Sequence, residues 1–130
     1  MAKFPPLFER FLKQAEELIN NLDKLIGKLA EADSKVLKHG NKINYFVEDL
    51  KTLIRLVRSW IKKEYTTIPT SSIVSAIAAV IYFVSPIDLI PDFLPGGYVD
   101  DAAVVLFVIA FIKADLDRFK EWEKEKGRGS

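Results

Sequence analysis

Residues 71–84 read SSIVSAIAAVIYFV, a run without a single charged side chain. Ile73, Val74, Ile77, Val80, Ile81, Tyr82 and Phe83 leave no polar face on a helical wheel. Ser75, Ala76, Ala78 and Ala79 are small enough to let neighbouring helices approach closely. The run predicts a helix over Ser71–Val84 that has to be covered on every side. Two covers are conceivable: other helices of the same chain, or lipid. A second charge-free apolar run, Ala102–Ile112, lies downstream, and neither run reaches the about 20 apolar residues that a membrane-spanning helix needs. Reading across the connection between them would bury several aspartates, each costing on the order of 2.5–3.5 kcal/mol at a bilayer centre. A water-exposed helical domain is therefore the preferred reading, and a re-entrant or interfacial hairpin the alternative.

Upstream, the sequence supplies amphipathic helices that suit the first cover. A first helix is expected from Pro5-Pro6 onward, since proline is tolerated in an opening turn. Phe8, Phe11, Ala15, Leu18, Leu22, Leu25 and Leu29 follow at steps of three and four, widened by Leu12, Ile19 and Ile26. Gly27 and the polar stretch 31–34 are the expected weak points, with Val36 and Leu37 resuming the pattern before His39-Gly40-Asn41. Glycine there reads as a cap and Asn41 as a new start. A second helix is expected over Asn41–Glu64, with Ile43, Phe46, Val47, Leu50, Leu53, Ile54, Val57, Trp60 and Ile61 on one face. Arg55, Arg58, Lys62 and Lys63 gather in its last turns, where cations favour the helix dipole. Thr66 to Pro69 is expected to end it.

Downstream of the charge-free run the chain reads SPIDLIPDFLPGGYVDD over residues 85–101. Ser85, Pro86 and Asp88 form a capping-box-like start, and Pro91 stops the turn. Gly96 and Gly97 permit positive φ for a second reversal, and Asp100 and Asp101 suit a helix N-terminus. The expected result is a rigid elbow, Ser85, Pro86, Asp88, Pro91, Asp92, Gly96 and Gly97, that folds the third and last helices into an antiparallel hairpin. The last helix turns amphipathic after Ile112, and residues 124–130 are expected to fray.

This string, from Ile81 to Val105, resembles the core of the YkvA-like family of proteins of unknown function, as do Glu64-Tyr65 with Ile68-Pro69 upstream and residues 112–122 downstream. The resemblance covers roughly residues 50–123 and does not extend to residues 1–40. It implies a small bacterial-type helical domain, often membrane-associated, with no established activity and no catalytic residues to assign.

Composition narrows the function. The 130 residues suit one domain, read as an amphipathic helix over 1–40, a YkvA-like core over 41–123 and a tail over 124–130. The absence of cysteine removes disulfides, thiolate catalysis and cysteine zinc sites, and fits a reducing compartment. No secretory leader is read over Met1–Lys13. A net charge of +1 argues against nucleic acid, but the charge is unevenly placed. Residues 1–65 hold 13 Lys/Arg and 9 Asp/Glu, whereas residues 66–130 hold 6 and 9.

Asp88, Asp92, Asp100 and Asp101 are candidate ligands for a hard cation such as Mg²⁺ or Ca²⁺, weighed against helix capping at the same positions. They match no EF-hand spacing, and no phosphate cradle or nucleophile accompanies them as a hydrolase would require. His39, the only histidine, lies at an expected helix end, where capping accounts for it. Arg55, Arg58, Lys62 and Lys63, interleaved with Trp60 and Tyr65, read as a solvated face or as a lipid-facing basic cluster. The fold expected is thus all-α, a bundle of about four helices around a central apolar hairpin. No cofactor and no reaction are read from the chain. Its expected role is a non-catalytic interaction or scaffold module in the cytoplasm, with a protein partner or self-association. The alternatives are a membrane-associated protein at the cytoplasmic face, on an anionic surface, and a metal-dependent activity at the elbow.

Overall fold

The charge-free run folds as expected, into a helix beginning one residue earlier, at Thr70, and ending at Val84. The structure is a computed structural model that describes residues 6–39, 47–84 and 105–129, all-helical apart from short connections. The helices are α1 (Pro6–Ile19), α2 (Leu22–His39), α3 (Val47–Ile61), α4 (Thr70–Val84), α5 (105–111) and α6 (Lys113–Gly129). Among the described residues there are therefore six helices, where the sequence suggested about four.

α4 is the axis of the fold. Every residue from Ser72 to Phe83 is buried, and α1, α2 and α3 all pack on it. Each large aliphatic or aromatic side chain so covered contributes up to about 1.5–3 kcal/mol, so the helix without a polar face belongs at the centre. Its hydroxyls are satisfied locally. Ser75 Oγ donates to the Ser71 carbonyl at 2.8 Å, and Ser72 Oγ donates to the Asp115 carboxylate of α6. Among the described residues no buried side-chain polar atom lacks a partner.

The amphipathic stretch before residue 40 is two helices. The break falls at Asn20-Asn21, while Gly27 and residues 31–34 stay helical. Asn21 caps α2, its Oδ1 accepting from the Lys24 N–H at 3.3 Å and its carbonyl from the Leu25 N–H at 3.1 Å. α1 lies along α4, with Phe11 and Tyr82 meeting edge-on at 5.2 Å and 71°. Both helices of the stretch thus pack on α4. Phe11, Ala15 and Leu18 of α1 and Leu25, Leu29, Ala32 and Val36 of α2 are buried. Leu22 and Ile26, expected in the same stripe, are 37% and 49% exposed: Leu22 opens α2 directly after the break, and Ile26 lies beside the buried row.

α3 buries Leu50, Leu53, Ile54, Leu56 and Val57 and stops at Ile61, short of the expected Glu64. The Lys63 N–H donates to the Trp60 carbonyl (3.0 Å) and the Glu64 N–H to the Ser59 carbonyl (2.9 Å), the paired bonds of a Schellman cap. Lys63 takes the left-handed position, φ 62°. This reversal delivers Tyr65 and Ile68 into the core, at 6% and 9% exposure.

α5 and α6 continue one another across Ile112. The Ile112 N–H bonds the Val108 carbonyl and the Leu116 N–H the Ile112 carbonyl, both at 2.9 Å. The run buries Val105, Val108, Ile112, Leu116 and Phe119, a stripe and not a full circumference. Of the two expected arms of an apolar hairpin, only α4 is enclosed all round; Leu106 and Phe111 of the other are half-exposed.

Candidate functional site

The four cations singled out from the sequence are set apart by the fold into two kinds. Arg55 makes a two-point bridge to Glu123 of α6, Nε to Oε2 at 2.8 Å and Nη2 to Oε1 at 3.4 Å, and also reaches Thr52 Oγ1 at 3.3 Å. Arg58 bonds the Asp33 carboxylate of α2. These two guanidiniums tie α3 to a helix on either side, which the planar fork of arginine suits better than an ammonium. Lys62 and Lys63 are exposed and make no salt bridge among the described residues. Lys51, Arg55, Arg58 and Lys62 recur at helical spacing, so the outward face of α3 is a basic stripe opposite its buried one.

The sequence reading missed the surface beside that stripe. On α2, Leu22, Ile26, Ala30 and Leu37 recur on one flank and are exposed, Leu37 to 86%. Asp33, the carboxylate taken by Arg58, lies at the centre of this flank, and Asp23 at its edge. Periodicity assigned Leu22 and Ile26 to the core; apolar spacing alone does not register that α2 starts at Leu22 or that its buried row runs through Leu25, Leu29, Ala32 and Val36.

Two further features stand near the ends of α4. At its C-terminal end, Lys35 of α2 donates from Nζ to the Phe83 carbonyl at 2.6 Å and lies 4.9 Å from the centre of the Phe83 ring. One of the last carbonyls of the helix is thereby satisfied by a cation, as the dipole favours. Beyond its N-terminal end, Tyr65, Phe119 and Trp122 cluster at centroid distances of 5.1–5.7 Å. Tyr65 and Trp122 line an open groove of about 420 Å³ edged by Thr67, Asp117, Arg118, Glu121 and Glu125. Lys126 sits over the same ring, with Nζ 5.0 Å from the Trp122 ring centre and 3.5 Å from Glu64.

The elbow residues Ser85, Pro86, Asp88, Pro91, Asp92, Gly96 and Gly97, and with them Asp100 and Asp101, lie outside the described residues. So does the side chain of His39. Among the described residues no group of three or more His, Cys, Asp or Glu side chains is placed to hold a metal. No described helix is long and apolar enough to cross a membrane.

Comparison with known proteins fits this picture. A family described as a protein of unknown function (DUF1232) matches residues 72–107, from the first turn of α4 into α5. The chain is also 30% identical over 94 residues to the "Uncharacterized membrane protein YkvA" of Bacillus subtilis (strain 168), covering 72% of this chain and 88% of that protein. No solved structure matches.

Proposed function

The chain belongs to the YkvA-like family of proteins of unknown function, and from that premise we propose that it is a non-catalytic helical module that attaches to a membrane surface without crossing it. The observation that carries this reading is the enclosure of α4. α4, a helix without a charged side chain, is covered by α1, α2 and α3, so its hydrophobicity is already used inside the protein, while a relative bears the name of a membrane protein. Attachment then falls to the surface, where the basic stripe of α3 suits anionic headgroups such as those of a cytoplasmic leaflet. In this reading α4 and the helical run from residue 105 are the two apolar arms of the core, and they serve as scaffold rather than anchor.

The test is co-sedimentation of the purified chain with vesicles of phosphatidylglycerol and phosphatidylethanolamine, beside vesicles of phosphatidylcholine alone. Binding to the anionic vesicles that weakens as salt rises is expected. Protein that stays in the supernatant with both kinds would refute surface attachment. A second reading, docking of a protein partner, rests on the groove over Tyr65 and Trp122, and a partner crosslinked at Thr67 but not at α3 would favour it.

A further inference from the structure

The surface reading leaves open which residues enter the lipid, and the exposed flank of α2 supplies an answer that rests on that reading. Leu22, Ile26, Ala30 and Leu37 share one flank of an 18-residue helix. Three of them are large aliphatic side chains left 37%, 49% and 86% exposed. Isolated exposed leucines need no explanation, but an aligned set on one helix does. The flank is also electrically prepared. Asp33, the charge at its centre, is paired with Arg58, and the exposed Asp23 stands only at its edge. The salt bridge joins the flank to the basic stripe of α3, at whose end Lys62 and Lys63 stand exposed with no salt-bridge partner among the described residues.

An apolar strip whose central carboxylate is paired, tied by that bridge to a helix that ends in two exposed lysines, matches an anionic bilayer surface in both respects: aliphatic side chains for the acyl boundary and cations for the phosphates. We infer that the α2 flank Leu22–Ile26–Leu37 is the membrane-inserting face, with Lys62 and Lys63 at the headgroups. This places the lipid contact on the N-terminal helices, outside the segment 72–107 that defines the family match.

Because the chain has no cysteine, a single L37C variant takes one polarity-sensitive fluorophore at a defined place, and K120C on α6 provides a control. Phosphatidylglycerol–phosphatidylethanolamine vesicles should shift the dye at position 37 to the blue and leave the dye at 120 unchanged. The triple variant L22S/I26S/L37S should bind those vesicles about tenfold more weakly or worse, while its circular dichroism and melting temperature match the parent. If the parent binds but the dye at 37 stays silent and the triple variant binds equally, the α2 assignment is overturned and the surface reading stands. If the parent does not bind, both fall. A blue shift at 37 that grows with protein concentration in the absence of lipid would assign the flank to a second copy and overturn the inference.

Discussion

At the scale of single residues, the end of α3 is made by a lysine doing a glycine's work. Lys63 holds φ 62°, where a side chain costs on the order of 1 kcal/mol relative to glycine. The Schellman bonds around it turn the chain so that Tyr65 enters the core. Lys63→Gly is expected to stabilise the protein by about 0.5–1 kcal/mol, net of the added freedom of the unfolded chain, and Lys63→Val to destabilise it. Urea denaturation of both variants decides the matter. This turn was not readable in advance, because its usual glycine signal is missing and the polar run through Thr67 offered a later stop. Lys35 is the second such residue. Its bond to the Phe83 carbonyl is charge-assisted and part-buried, so Lys35→Met, which keeps the aliphatic stem and removes the donor, should cost about 1–2 kcal/mol in thermal unfolding.

At the scale of elements, the α1–α2 break shows what a hydrophobic pattern carries and what it does not. Leu18 and Leu25 stand seven residues apart, a spacing one uninterrupted helix would also give. The periodicity therefore passes through Asn20-Asn21 as though nothing happened there. The readable signal was chemical: an asparagine followed three positions later by an accepted N–H. Asn21→Ala is expected to lower stability by about 1 kcal/mol, and Asn21→Ser to restore most of it. If the alanine variant melts with the parent, the break is set by packing on α4 and not by its cap. By contrast, α4 was legible to within one residue, since a helix with no polar face has few alternatives. What its small residues accomplish follows from the same packing. Ala76 and Ala79 are fully buried, so Ala79→Leu should cost about 1–3 kcal/mol or more by overpacking against the helices that enclose it.

At the scale of the whole molecule, the candidate surface was half legible. The basic residues of α3 are plain in the sequence; that Arg55 and Arg58 are spent on Glu123 and Asp33 is not, because those partners lie 68 and 25 residues away. Only the assembled fold separates cations that brace the bundle from cations that face outward. This gives a contrast to measure. Arg55→Gln should loosen the α3–α6 junction, detected as faster amide exchange in α6. Lys62→Gln with Lys63→Gln should leave exchange in α6 as it was and weaken adsorption to anionic vesicles by about 1 kcal/mol per lysine near the surface. Deep in that junction, Phe119 is fully buried beside Tyr65 and Trp122. Phe119→Ala is expected to cost about 3–5 kcal/mol, a large share of the about 5–15 kcal/mol of an ordinary domain, read as a lowered midpoint in urea.

The enclosure of α4 also has a meaning in time. A ribosome makes the chain from its N-terminus, and domains begin to fold as they emerge. Thr70–Val84 therefore leaves the exit tunnel after α1, α2 and α3 are already outside. This charge-free helix arrives last among the four that pack together, and its cover is waiting for it. A gene rearranged to make α4 first would encode the same contacts, yet would present that segment bare to chaperones, neighbours and membrane for the whole interval in which its cover is being made.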